Sequence, residues 1–174
     1  MTLQNKHIRL RAPELSDLDV LLSWENEESL WYLSQNLLPF SRFDMEQFIL
    51  NNSHDIYQEK QFRFMIEKKD SLELLGCVDL FDFNPHHKRA GIGILIDEKH
   101  RSRGFASQAL DLIISYSFQQ LHLHQIYCNI LENNINSKKL FEKKQFLPIG
   151  VKQDWILVKN RFQNEILYQL IHKK

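Results

Sequence analysis

The stretch Arg101-Ser102-Arg103-Gly104-Phe105-Ala106 carries the plainest chemistry in this chain. It lies between an apolar, strand-like segment, Ala90 to Asp97, and a run with helical spacing that ends near Leu121. Two arginines bring positive charge, and Gly104 lets the backbone turn and approach a ligand closely. The amides that open the following helix have no partners inside it. An anion such as a pyrophosphate satisfies those donors and also meets the positive end of the helix dipole. These residues therefore predict a phosphorylated ligand. Cys77 and Cys128 sit in apolar strand-like segments without a neighbouring base or helix N-terminus, and they read as reduced core rather than as nucleophiles or a disulfide. His86, His87, His122 and His124 have no cysteine at zinc spacing, so they read as surface residues and no metal is expected.

A cradle of this kind needs a strand and a helix to hold it, and the rest of the chain supplies them. His7 to Ala12 alternates as a first strand ended by Pro13, and Ser16 is placed to cap a helix carrying Leu18, Leu21, Leu22 and Trp24. A short helix is expected over Phe43 to Asn51. Gln61 to Glu67 and Leu74 to Phe83 read as a hairpin about the turn Lys68 to Ser71. A strand from Gly91 to Ile96, a helix from Gly104 to Gln120, a strand from Gln125 to Leu131 and a helix from Asn136 to Lys143 follow. Two strands near Trp155 to Lys159 and Glu165 to Ile171 close the chain. This is a mixed α/β (α+β) pattern, with about seven mostly antiparallel strands flanked by helices. At 174 residues it fits one domain spanning 1–174, and 22 basic against 22 acidic side chains give no bulk attraction to nucleic acid or an anionic membrane. No run approaches the roughly 20 apolar residues of a membrane span, and a cytoplasmic location is expected.

The strand Ala90 to Asp97, the Arg101-x-x-Gly104-x-Ala106 loop, Asn134-x-x-Ser137 and Glu142-Lys143-x-x-Phe146 together resemble the GNAT superfamily of acetyl-CoA-dependent N-acetyltransferases. The element order is similar to that fold over nearly the whole chain. Within the superfamily the chain looks most like the branch of the Rim-type ribosomal-protein N-terminal acetyltransferases and the spermidine/diamine acetyltransferases. The resemblance implies that amides from Arg101 to Ala106 hold the CoA pyrophosphate. It also implies that the edge Leu95-Ile96-Asp97 pairs with the pantetheine arm, that Asn134 contacts that arm or its water, and that a backbone N–H near Ile96 stabilises the carbonyl oxygen. Lys138, Lys139 and Lys143 are further candidates for the phosphates, against the alternative of a solvated helix face.

Acetyl transfer to an amine needs a neutral nucleophile, charge stabilisation on the carbonyl oxygen and a proton for the thiolate. With no cysteine or serine in a nucleophile-and-base arrangement, direct attack in a ternary complex is the expected route. Many relatives use a tyrosine on the penultimate helix as the acid, and the matching position here is Phe141. Ser137, one helical turn earlier, is the nearest hydroxyl and a candidate acid, or else a helix cap. Gln145 replaces the glycine usual before Phe146. Asp79, a carboxylate in the apolar run Cys77 to Phe81, is the candidate base through water, or else a paired structural carboxylate. Glu25, Glu27 and Glu28 after the first helix, with Asp82, are candidates to attract a cationic acceptor. Trp24, Trp31, Tyr32 and Phe40 occupy the region that walls the acceptor pocket in relatives. The paired acids that polyamine enzymes carry there are not reproduced at Asn36-Leu37. The expected function is acetylation of a small cationic, polyamine-like amine, with acetylation of a peptide N-terminus and a non-catalytic CoA-binding module as alternatives and a homodimer as a possible assembly.

Overall fold

The structure, a computed structural model, describes residues 3–28, 31, 38–51 and 55–173. Tyr32 and Asn36-Leu37 lie outside the described residues. The strands are β1 (Ile8–Arg11), β2 (Phe62–Lys68), β3 (Leu74–Asn84), β4 (Arg89–Ile96), β5 (Gln125–Leu131), β6 (Leu147–Val158) and β7 (Arg161–Ile171). The helices are α1 (Leu18–Glu25), α2 (Arg42–Asn51), α3 (Ile56–Glu59), α4 (Phe105–Gln119) and α5 (Ile135–Lys143). All strands join one seven-stranded sheet in the order β1-β2-β3-β4-β5-β7-β6, antiparallel except for β4 against β5.

Period-two alternation gives the central strands β2 to β4 two apolar faces, because both sides of the sheet are covered there, whereas β6 is largely exposed. On one face Phe64, Ile66, Val78, Leu80, Ile92, Ile126, Cys128 and Ile130 pack with Ala109, Leu110 and Ile113 of α4 and Phe141 of α5. On the other, Met65 and Cys77 pack with Leu18 and Leu21 of α1 and Met45 and Ile49 of α2. The cysteines are therefore free and buried, as their apolar context required. Burial pushes the Cys77 thiol up to about 12 and raises that of Cys128 as well, so neither offers a thiolate near neutrality.

Some local expectations change. Ser16 does not cap α1: it is exposed inside a one-turn 3-10 helix, Leu15–Asp17, where the Asp17 carboxylate accepts from the Glu14 N–H at 2.8 Å. The four residues of α3 were not foreseen; Asp55 caps them by accepting from the Tyr57 N–H, and Lys60 ends them in a left-handed conformation. β6 begins at Leu147 rather than near Trp155, because Pro148 and Gly150 are accommodated by a bulge on an edge strand. Gln145 adopts the turn a glycine would make, with φ of +67°, and the Phe146 N–H reaches the Phe141 carbonyl.

The start of α1 is fixed to the sheet by buried charges. Arg11 donates to Asp17 at 2.7 and 2.8 Å and to Glu67 at 2.6 Å, and Arg9 donates to Glu67 at 2.5 Å. Burial alone would raise both acids, but the arginine hydrogen bonds outweigh it and hold each carboxyl below its ordinary value of 3.8 (Asp17) or 4.5 (Glu67). A lowered folded pKa contributes stability above the unfolded value and loses it as pH falls through the folded one. Urea midpoints should accordingly drop below about pH 4. Arg11→Met should cost about 3 kcal/mol at neutral pH and flatten that acid slope; a variant with an unchanged midpoint at pH 7 would refute the clamp.

Candidate active site

The strands β4 and β5 pair only at Arg89, Ala90 and Gly91, opposite Gln125, Ile126 and Tyr127, and then both continue without pairing each other. The base of the opening is closed by Phe81, whose ring is 5.9 Å from that of Tyr127 and lies so close over Gly91 that a Cβ there would sit 2.2 Å from Phe81 Cε2. Above it lies a cavity of about 220 Å³. Residues of both sheet faces line it. Trp24, Glu25, Arg63, Cys77, Asp79, Gly93, Leu95 and Asn129 come from the α1/α2 side, and Ile92, Ile94, Cys128, Ile130, Asn134, Ser137 and Phe141 from the α4/α5 side. The cavity thus passes through the sheet.

Backbone groups face this opening in a fixed pattern. Antiparallel pairing exchanges hydrogen bonds at alternate residues, and the Asp97 N–H donates to Leu75 O at 2.9 Å. Leu95 and Asp97 therefore spend their amides on β3, contrary to the expectation that both present an edge, while the backbones of Ile92, Ile94 and Ile96 turn toward the gap. Ile96 stands just beyond the cavity lining and its carbonyl accepts from Arg101 Nε at 3.1 Å. The Asp97 side chain is engaged too, accepting from Trp24 Nε1 at 3.1 Å and the Lys99 N–H at 3.2 Å. Burial opposes its charge, but these donors and the nearby cations keep its carboxyl below the ordinary range.

The loop expected to hold phosphate presents a run of open amides that starts one residue later than Arg101. The Arg101 amide is taken by Glu98 O, so the open run begins at Ser102. Ser102 (φ +61°) and Gly104 (φ +80°) are both left-handed, Gly104 precedes α4 without any side-chain cap, and no amide from Ser102 through Ser107 donates to another described residue. Arg103, its side chain exposed, completes the loop, and Phe105 and Ala106 open α4. At the start of α5, Asn134 Oδ1 accepts from the Ser137 N–H at 3.1 Å. Asn134 is thus the cap, and the Ser137 hydroxyl, free of hydrogen bonds to described residues, is left to the cavity. Phe141 is buried in the cavity wall, edge-on to Phe146. Lys138 donates to Glu132 O at 3.1 Å, and Lys139 and Lys143 are exposed.

On the opposite face Asp79 is paired rather than free. Arg63 Nε and Nη2 reach its two oxygens at 2.7 and 2.9 Å, and Arg63 Nη1 reaches Glu25 Oε1 at 2.5 Å. Burial disfavours the arginine's charge, but Asp79 foremost, with Glu25, raises its pKa well above the ordinary value. With both oxygens committed to Arg63, Asp79 suits holding a cation more than taking a proton. The other acceptor-side candidates lie outside the lining. Glu28 is exposed, Trp31 donates to Glu25 O at 2.9 Å, and Asp82, at a bulge with φ of +48°, accepts from Tyr127. Arg63 and Asn129 were missed by the sequence reading. An arginine within QFRFMIE was a signal of the same kind as Asp79.

Residues 7–146 match the acetyltransferase (GNAT) domain family. The chain belongs to that family. The acetyltransferase is 29% identical to the spermidine N(1)-acetyltransferase of Vibrio cholerae, over 92% of this chain and 90% of the relative. A crystal structure of spermidine N-acetyltransferase from Vibrio cholerae in complex with CoA and spermine is similar with a TM-score of 0.85 and 27% identity, covering 96% of each chain. A dodecameric structure of that enzyme gives 0.81 and 26%, covering 96% and 95%. The acetyltransferase is accordingly an acetyl-CoA-dependent enzyme with a mixed seven-stranded sheet, as its sequence predicted. Among its described residues no helix is long and apolar enough to cross a membrane, and no three His, Cys, Asp or Glu side chains gather as a metal site.

Proposed function

We propose that this acetyltransferase acetylates a primary amine of a small polyamine-like cation by direct attack on acetyl-CoA. The observation that carries the reading is the cavity through the sheet, which joins the Ile94 edge, Asn134 and Ser137 on one side to Glu25 and Asp79 on the other, with the open amides of Ser102 to Ser107 beyond its lining. The family and the spermine complex of a relative support it. The amides of Ser102 to Ser107, with Arg103, fit a pyrophosphate, since a Cβ at Gly104 would meet nothing within 4 Å and the turn is open to a ligand. The Ile94 and Ile96 backbones fit the pantetheine arm as an added strand, and Asn134 flanks its end. Bound acetyl-CoA supplies an activated acyl group. The Ile94 N–H, inside the cavity where Ile96 stands outside, meets the charge that gathers on the carbonyl oxygen. Glu25 and Asp79 hold the cationic acceptor, its amine proton leaves to water, and the Ser137 hydroxyl passes a proton to the departing sulfur as it takes one from water.

The test is acetyl-CoA consumption with spermidine, short diamines, amino sugars and peptides bearing free N-termini. Turnover restricted to peptides would overturn the small-amine reading in favour of N-terminal acetylation, and binding without turnover on any acceptor would favour a silent CoA module. Ser137→Ala should lower kcat about tenfold or more while leaving acetyl-CoA affinity unchanged; an unaltered kcat would remove Ser137 from the mechanism. We further propose one domain over 1–174, working in the cytoplasm, where buried free thiols persist. Copies associate, in this reading, through the exposed apolar side chains Ile149, Val151, Leu157 and Phe162 on the β6–β7 pair, as patches of this kind mark contact surfaces. The dodecamer of a relative supports association; sedimentation as a 20.9 kDa species alone would exclude it.

A further inference from the structure

We infer that Arg63 is the positioning residue of the acceptor wall, acting through Glu25 and Asp79 rather than on the acceptor itself. The inference rests on the acceptor reading above. Arg63 lies on β2 directly opposite Asp79 on β3, with only 14% of its side chain exposed. Its three nitrogens are all committed: two to the oxygens of Asp79 and one to Glu25 at the end of α1. The Phe48 ring of α2 covers the guanidinium at 5.3 Å. Three of its five N–H donors are taken by these carboxylates and its positive charge repels a cationic amine, so it acts on the acceptor by setting the direction of both carboxylates that face the cavity.

Two consequences follow from that geometry. Glu25 and Asp79 carry two negative charges, and Arg63 returns one positive, so the trio presents a single net negative charge to an amine. The trio also pins the C-terminal end of α1, and with it Trp24, against the sheet, while Arg11 pins the other end. All of this lies on the α1/α2 face. The cradle and the Ser137 side of the cavity lie on the other face, so a change at Arg63 should reach the acceptor and spare the cofactor. Lysine cannot reproduce the fork, since one ammonium does not span three oxygens on two residues in that planar arrangement.

The experiment uses the full chain and the amine that the wild type acetylates best. In Arg63→Met the acceptor KM should rise about tenfold or more, with the Kd for acetyl-CoA unchanged within about twofold. Arg63→Lys should fall between methionine and wild type. The double variant Arg63→Lys with Asp79→Asn should be no worse in acceptor KM than Asp79→Asn alone, because the residues act as one unit. If Arg63→Met does not fold, the lysine variant and the cycle decide. An unchanged acceptor KM in a folded variant, an equal loss of acetyl-CoA affinity, or full additivity in the cycle would overturn the inference. Those results leave the acetylation reading standing. A wild type inactive on every amine would instead overturn the acceptor reading and this inference with it.

Discussion

Gly104→Val is expected to weaken acetyl-CoA binding by roughly 100-fold without unfolding the protein. Gly104 holds φ of +80°, a region in which a β-branched residue is strained by about 1–2 kcal/mol. Nothing in the protein lies within 4 Å of the added Cβ, so packing is not the source of the loss. The cost falls on the turn that aims the amides of Ser102 to Ser107, and on the open space where phosphate oxygens would sit. Hydrogen bonds to a charged group are worth about 1.5–3 kcal/mol each, so misdirecting one or two of them accounts for the expected factor. Calorimetric titration with acetyl-CoA, beside a circular-dichroism melt, measures both parts. An unchanged Kd would show that the cradle does not bind the cofactor.

The second large effect is on stability. In Gly76→Ala the new Cβ would stand 2.0 Å from Leu95 O and 2.9 Å from Ile96 Cα. Both are backbone atoms of β4, so no side chain can swing aside and the two strands must part. A loss of about 3 kcal/mol is expected from urea unfolding. Because the strain falls where β4 has no partner on its β5 side, the folded fraction should also bind acetyl-CoA less well. A loss below about 1 kcal/mol would mean that the strands yield more easily than their pairing implies.

What could be read from the chain was what is local. The strand to Ile96, the glycine turn and α4 are contiguous, and their chemistry depends on neighbours a few residues apart. Asn134 and Ser137 were legible as a pair, but which one caps the helix and which faces the cavity depends on side-chain direction. Asp79 was legible as an oddity and its partner was not. A simple turn over Lys68 to Ser71 would set Arg63 opposite Gly76; a bulge between Ile66 and Glu67 and a longer turn set it opposite Asp79. The opening between β4 and β5 left no mark in the local pattern, since it depends on how two strands distant in sequence lie side by side. β6 was half-hidden by Pro148 and Gly150, which an edge strand tolerates.

Alternation along β4 and β5 separates two jobs within single strands. Neighbouring positions such as Gly93 and Ile94, or Cys128 and Asn129, look to opposite sides of one cavity. In the reading proposed above, substitutions can therefore accumulate on the acceptor side, at Glu25, Arg63, Asp79 and Asn129, while Ile94, Asn134 and Ser137 on the opposite side keep their surroundings. A lineage built on this sheet can change its clientele without relearning its currency.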